Sequence, residues 1–329
     1  MTRQSRHRSH VKYWIGALAA TMALPGAAQP DAWPRRPVTI VVGFAAGAGT
    51  DMLARAVADK LTGRLGQPVV VENKAGAGGS FAVSAVAAAA ADGHTLLLAP
   101  NTVVISPHLM KTRTDILTDL VPVGQVTRST LLLATSPTAG LGVKNVRELT
   151  ALARKKPGLS FGTAGMGTPQ HIAGELYKKS AGIDLTHIAY RGTAPALTDL
   201  LGGQISLSFT SLTAAKPYLD SGRLVPLAVV EKERSPLLPN VPTMTEQGVA
   251  GVELTGWFGT FAPKGTPPEV VAKINKEIAA VLALPDIQKK FKDQGELPSA
   301  GTPEAFGELV RSEYQLYEKI VRDFGIKVD

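Results

Sequence analysis

Apolar positions follow two periods in alternation along this chain. Val38 to Val42 is an unbroken β-branched run, the pattern of a strand covered on both faces. Leu53, Val57, Leu61 and Leu65 are then spaced at one-turn intervals, which predicts a helix over Asp51 to Leu65, ended by Gly66-Gln67-Pro68. Val69 to Val71 reads as a second strand, Phe81 to Ala91 as a helix of small residues and Thr95 to Ala99 as a third strand. After Leu131 to Ala134 the alternation resumes. A helix is predicted over Val146 to Lys155 and strands over Leu159 to Phe161, Thr186 to Tyr190, Ile205 to Phe209 and Leu224 to Val229, with a helix over Ala194 to Leu201. Glu253 to Phe261 reads as an extended return segment holding Trp257, whose expected role is hinge or core packing. Pro267 to Leu282 and Pro303 to Phe324 read as long amphipathic helices. Strand–helix alternation of this kind predicts an α/β fold in which each half is a mostly parallel sheet flanked by helices. The chain joins the halves twice, near residues 126–136 and 253–261, so the first domain is expected to be discontinuous (29–130 plus 256–329) around a second (131–255). Two extended crossings make a hinge.

The two halves share a motif. Ala46-Gly47-Ala48-Gly49-Thr50 recurs, but for its third residue, as Ala164-Gly165-Met166-Gly167-Thr168, 118 positions later. Each copy follows a predicted strand and precedes a helical pattern. The first turn of a helix leaves N–H groups unpaired and carries a partial positive charge. Glycine lets that backbone approach a ligand closely. Two such loops facing one crevice would hold a small anion from both sides. In the first loop Thr50 or Asp51 is the expected cap, with a ligand contact by Asp51 also open. In the second, Thr168 is the expected N-cap and Pro169 the first helical residue. His171, in that helix's first turn, either lines the cleft or orders the helix start. Arg191, beside Gly192, is either a solvated surface residue or a ligand contact.

Composition places the chain outside the cell interior. Arg3, Arg6, Arg8 and Lys12 precede the apolar run Trp14 to Leu24, and Pro25-Gly26-Ala27-Ala28 follows as a cleavage region, so residues 1–28 read as a signal peptide. An apolar run of 11 residues is too short for a hydrocarbon core that needs about 20. The chain carries 35 Lys+Arg against 27 Asp+Glu, and loss of the leader's four cations leaves about +4. Those charges are scattered, which argues against nucleic-acid binding. There is no cysteine, hence no disulfide and no thiolate chemistry. The G-x-G-x-x-G fingerprint, the nucleotide P-loop and the G-x-S-x-G elbow are all missing, and the histidines after the leader, His94, His108, His171 and His187, do not stand at metal-ligand spacing. An enzyme is therefore not expected, nor any cofactor. Two other functions remain open: an exported enzyme acting on a small carboxylic acid, or a receptor that signals to a membrane sensor.

Several further segments complete a set: Val69-Val70-Val71-Glu72-Asn73-Lys74-Ala75-Gly76-Ala77-Gly78-Gly79, the dipeptide Asp92-Gly93, His171-Ile172-Ala173-Gly174-Glu175-Leu176, Tyr190-Arg191-Gly192-Thr193-Ala194-Pro195-Ala196, Asp199 to Gln204, and Pro239-Asn240-Val241-Pro242-Thr243. With the two glycine loops, this set resembles the substrate-binding receptors of tripartite tricarboxylate transporters, the Bug proteins. The resemblance implies a two-lobed periplasmic-binding-protein fold of type II, acting as a monomer in the periplasm. It implies capture of a small carboxylate by backbone amides and delivery to a membrane permease. Carried over by residue, Phe44, Ala46, Gly47, Ala48, Gly49, Thr50 and Asp51 form one side of the site, with Gly79, Ser80, Asn101 and Thr102 lining the same lobe. Gly165, Met166, Gly167, Thr168 and His171 form the other, with Arg191 and Thr210 beside them. Two departures stand out. Ala48 replaces a frequent third glycine, and Thr210 replaces a frequent acid, which favours a ligand without an amino group.

Overall fold

A computed structural model describes residues 33–326, so the predicted leader lies outside the described residues. The first lobe begins with β1 (Val38–Val42), α1 (Gly49–Leu65), β2 (Val69–Asn73), α2 (Ser80–Ala87), β3 (Thr95–Pro100), α3 (Thr102–Ile105) and β4 (Leu120–Ser129). The chain crosses at Thr130 into β5 (Leu131–Thr135), α4 (Val146–Lys155), β6 (Ser160–Thr163), α5 (Pro169–Ala181), β7 (Thr186–Ala189), α6 (Thr193–Leu201), β8 (Leu207–Ser211), α7 (Leu212–Asp220) and β9 (Val225–Val229). It returns through β10 (Gly256–Pro263) and finishes with α8 (Pro268–Leu282), α9 (Pro285–Asp293), β11 (Glu296–Pro298) and α10 (Pro303–Phe324).

The strand orders are β11-β4-β10-β3-β1-β2 in one sheet and β7-β6-β8-β5-β9 in the other. Both sheets are mixed and built alike. In the first, β1 pairs in parallel with β2 and β3; in the second, β6 pairs in parallel with β7 and β8. The strands next to each parallel trio, β10 and β5, run antiparallel to it because they carry the chain between sheets. Each glycine loop follows the middle strand of its trio. Those loops share a sheet edge with the crossings: Pro100 at the end of β3 pairs with Phe258 near the start of β10, and Ser211 at the end of β8 pairs with Leu131 at the start of β5. Open α/β sheets bind ligands outside the carboxyl ends of their strands.

Several elements depart from the sequence expectation. The ten-residue β4 was foreseen only as a crossing near 126–136, because Pro122 and Gly124 interrupt its pattern. The structure absorbs them with two register shifts against β10. Helix α7 continues directly from β8 with Pro217 inside it, and α9 starts shortly after α8 ends; neither has a separate sequence signal. Helix α2 stops at Ala87 instead of Ala91. The following turn is held by the Asp92 carboxylate, which accepts the His94 N–H at 3.0 Å and the Arg36 guanidinium at 2.8 Å.

Trp257 is fully buried at the start of β10. Its Nε1 donates to Glu313 of α10 at 2.7 Å, and its ring meets Phe306 edge-on at 5.2 Å. Burial pushes the Glu313 carboxyl up to about 7. The Asn101 amide, anticipated as a cleft residue, is buried at this junction instead. Its Nδ2 donates to the Thr255 carbonyl at 3.1 Å and to the Tyr317 hydroxyl at 3.4 Å, and its backbone N–H donates to the Trp257 carbonyl at 3.1 Å. Asn101 therefore ties β3 to the return crossing.

Packing also explains a glycine inside a helix. A Cβ on Gly174 of α5 would lie 2.1 Å from Cε2 of Phe161. That ring is itself held by His187, stacked at 4.9 Å, and by Phe209, edge-on at 5.8 Å. Gly174→Ala should therefore destabilise the fold: overpacking costs about 1–3 kcal/mol, against a helix-propensity gain of up to about 1 kcal/mol. Urea denaturation would measure this, and a midpoint at or above that of the parent would show that Phe161 yields.

Candidate functional site

The two glycine loops are built on one plan, but not in the register their sequences suggest. Helix α1 has Ala48 as its N-cap, with no side-chain bond, so neither Thr50 nor Asp51 caps it. Thr50 is buried in the first turn. Asp51 occupies the third helical position, and its Oδ2 reaches back to accept the Gly47 N–H at 2.9 Å. In α5 the N-cap is Thr168, whose Oγ1 accepts the His171 N–H at 3.3 Å, with Pro169 first in the helix as expected. His171 stands at the third helical position, and its Nδ1 accepts the Gly167 N–H at 3.2 Å. By helical position Gly47 thus matches Gly167 and Asp51 matches His171, an offset of 120 instead of 118. The acceptor reaching back from the third position defines the equivalence. In each loop a glycine with positive φ, +83° at Gly47 and +70° at Gly167, turns its amide toward that acceptor.

Once the reach-back bonds are made, a set of amides is left over. The N–H groups of Gly49, Thr50 and Asp51 in the first loop, and of Thr168 and Gln170 in the second, have no acceptor among the described residues. These are the unpaired donors of a helix start. A second helix start lies next to each. A Cβ on Gly43 would lie 2.6 Å from Cα of Gly79, so α1 and α2 begin side by side, with the Phe44 ring against Gly79. In the other lobe the Gly192 N–H donates to the Ala164 carbonyl at 3.0 Å, which places the start of α6 beside that of α5.

The reach-back residues differ in charge. Asp51 is buried, and its carboxylate also accepts Nε of Arg55 at 2.9 Å and Nδ2 of Asn73 at 2.9 Å. The Arg55 bond, with those from Gly47 and Asn73, outweighs burial and holds its pKa down at about 2. Asn73 Nδ2 also donates to the Phe44 carbonyl at 2.9 Å, locking the loop to β2. His171 is buried, and burial lowers its pKa to about 4. It stacks at 4.2 Å on His187, whose pKa is lowered likewise, and His187 Nε2 lies 2.7 Å from Thr163 Oγ1. The Gly165 N–H donates to that same hydroxyl at 3.3 Å.

The anticipated site residues accordingly separate. Ala46, Gly47, Ala48 and Gly49 form the first loop, and Gly165, Met166, Gly167 and Thr168 the second, with Met166 exposed at its tip. Gly79 and Ser80 open α2, and the Thr102 hydroxyl lies 3.5 Å from the Gly78 carbonyl. Arg191 is exposed beside the start of α6. His171 is buried and orders the loop through Gly167. Asp51 has its carboxylate engaged by the protein. Thr210 is buried on β8, its Oγ1 without a partner, and the β6–β8 register puts it level with Ala164. Arg55, Asn73 and His187 were not anticipated as parts of the site. Arg55 follows Asp51 at the ion-pair spacing of a helix face, and Asn73 ends β2 within the motif Val69 to Gly79, so both had a sequence signal.

A concavity of about 650 Å³ lies elsewhere on the first lobe, lined by residues that include Lys111, Arg113, Asp115, Asp119 and Tyr314. It contains two carboxylates and none of the loop residues. Among the described residues no cluster suits a metal ion, and no helix is long and apolar enough to cross a membrane.

Comparison with known proteins agrees with this architecture. The family model described as "Tripartite tricarboxylate transporter family receptor" matches residues 53–326. The chain is 36% identical to Rpa4515 of R. palustris, solved with adipate, over 90% of this chain and 99% of that one, with a TM-score of 0.81. It is 35% identical to the periplasmic binding protein BugD, over 90% of this chain and 99% of that one, with a TM-score of 0.78. It is 32% identical to MatC of Rhodopseudomonas palustris, solved with bound malate, over 88% of this chain and 100% of that one, with a TM-score of 0.76.

The imidazole pair makes the second loop sensitive to acid. With their folded pKa values lowered from 6.5 to about 4, His171 and His187 stay neutral in the fold while the unfolded chain takes up protons. Their contribution is full above about pH 6.5 and is lost as pH falls toward 4. His171→Asn, which keeps a side-chain acceptor at the third position, should show a flatter fall in melting temperature than the parent between pH 7 and pH 4.5. Superimposable profiles would show that the pair does not titrate as described.

Proposed function

Because the chain belongs to the tripartite tricarboxylate transporter receptor family, we propose that it is a periplasmic solute receptor that grips a small carboxylate between its two glycine loops. The observation that carries this reading is the matched pair of helix starts. Each follows the middle strand of its parallel trio, each has its N-terminal glycine amide tied back by the third helical residue, and each presents unpaired amides. Hydrogen bonds to a charged group contribute roughly 1.5–3 kcal/mol each. Four of them, less the costs of association and lobe closure, are enough for a complex near −8 kcal/mol, a micromolar dissociation constant. The carboxylate needs no cation in this scheme, because the helix starts supply the positive potential. The leader at residues 1–28 directs export, and the loaded monomer delivers its ligand to the membrane permease of a tripartite transporter.

Adipate and malate, the ligands of the two Rhodopseudomonas proteins, are the first probes, with adipamide and malamide as uncharged controls. Thr210 and the amide-only grip favour acids without an amino group. A ligand at 100 times its dissociation constant should stabilise the mature chain by about 2.7 kcal/mol, read as a rise in melting temperature. Asp51→Ala releases the Gly47 amide and should weaken binding about tenfold, or about 1.4 kcal/mol. Equal shifts with acid and amide, or none across a panel of small carboxylates, would overturn the proposal.

A further inference from the structure

Glu296 is a buried carboxylate with no cation against it. It opens β11, at the crossing edge of the first sheet, and pairs in register with Ser129, the last residue of β4. Its Oε2 accepts the Thr127 hydroxyl at 2.8 Å and the Ser129 hydroxyl at 2.5 Å. Both belong to β4. Its Oε1 accepts the hydroxyl of Thr213 at 2.6 Å, and Thr213 is the second residue of α7, in the other lobe. The two lobes thus share one carboxylate. Burial raises its pKa and the three hydroxyls oppose that rise.

The backbone around Glu296 brings the lobes into contact there. Gly295 has φ +79°, and a Cβ on it would lie 2.8 Å from the Thr213 nitrogen, so only a glycine lets the start of α7 come this close. The Leu212 N–H donates to the carbonyl of Thr130 at 2.8 Å, and Thr130 is the one residue between β4 and β5. The start of α7 therefore touches the first lobe on both sides of the crossing: Thr130 on the connection and Glu296 on the edge strand. The positive end of α7 faces the buried carboxylate, which lowers the cost of keeping a charge there.

A carboxylate held by hydroxyls alone is an expensive way to fill a core, since an apolar residue of similar volume does as well or better for stability. What it adds is direction. Three donors from two lobes fix the angle at which α7 meets β4. We propose that Glu296 is a clasp that sets the lobe angle at the crossing, and so acts as a positioning residue for ligand capture. The clasp itself follows from the contacts at β4, β11 and α7; only its consequence for capture rests on the receptor reading above.

The test reads the lobe angle without any ligand. The chain has no cysteine, so Asp59→Cys on α1 and Lys156→Cys after α4, both exposed, can carry a pair of spin labels. Protein recovered from the periplasm is measured by pulsed electron paramagnetic resonance in four backgrounds: parent, Glu296→Ala, Glu296→Gln and Thr213→Val. Glutamine keeps the size and can accept from the β4 hydroxyls while donating to Thr213. Glu296→Ala and Thr213→Val should gain a longer-distance population absent from the parent, and Glu296→Gln should stay with the parent. Thr213→Val removes a single hydroxyl and keeps the test alive if Glu296→Ala does not fold. Distributions of the folded variants that superimpose on the parent would overturn the clasp. The panel of small carboxylates, adipate and malate first, added to the same samples is a separate arm: failure of the parent to bind any of them counts against the receptor reading and leaves the distance result standing.

Discussion

The organising interaction in this molecule is a hydrogen bond from a glycine amide to the side chain four residues further on. Gly47 donates to Asp51 and Gly167 donates to His171. Each bond takes up the one amide that points back from the helix start, so the remaining donors point forward. Without it, a loop with two glycines would sample many backbone conformations, and ordering it would cost binding energy at the moment of capture. With it, the donors are placed before the ligand arrives. Parallel strand trios, short loops and small residues between neighbouring helix starts all serve to seat these two bonds.

The same geometric role is filled by two different chemistries, and electrostatics explains how both are tolerated. A carboxylate beside an anion-binding loop would repel the ligand. Asp51 avoids this because Arg55 and Asn73 engage it from below, so the ion pair presents little net charge to the loop. In the second loop the acceptor is an imidazole that burial keeps neutral. The first loop is secured by an ion pair between buried Asp51 and half-exposed Arg55, and the second by a stacked aromatic pair over Phe161. In the proposed grip neither loop uses a cationic side chain, so the grip would be a backbone property of both lobes.

Much of this was legible in the sequence, and what was hidden has a physical reason. Val38 to Val42 as a buried strand, Val146 to Lys155 as a helix and Thr168-Pro169 as a helix start all follow from local propensity and capping chemistry. Local chemistry does not encode register between distant segments. The repeat Ala-Gly-x-Gly-Thr aligned Gly49 with Gly167, yet Gly47 is the structural counterpart, because the cap is set by where each helix begins. His171 read equally as a cleft residue or as one that orders the helix start, because its position in the first turn is visible and its burial is not. Burial depends on His187 and Phe161, which approach through the sheet. Strand β4 was obscured by Pro122 and Gly124, whose cost is absorbed by bulges against β10 that form only in the folded sheet.

The division of labour between backbone and side chains has a further consequence for specificity. Amides at helix starts recognise one carboxylate and say nothing about what it is attached to. A chain can keep this grip and change its ligand by altering residues that the loops do not constrain. Met166 stands at the tip of the second loop with its side chain exposed, and Thr210 lies level with that loop with a hydroxyl that no protein group satisfies. Neither participates in the reach-back bonds, although Thr210 is fully buried on β8. A buried unsatisfied hydroxyl costs about 1–3 kcal/mol, a cost that a water or a ligand atom would remove. Under the proposed function the exposed Met166 is the position of the two that can vary with least effect on the fold, whereas Gly47, Asp51, Gly167 and His171 are held by the reach-back bonds.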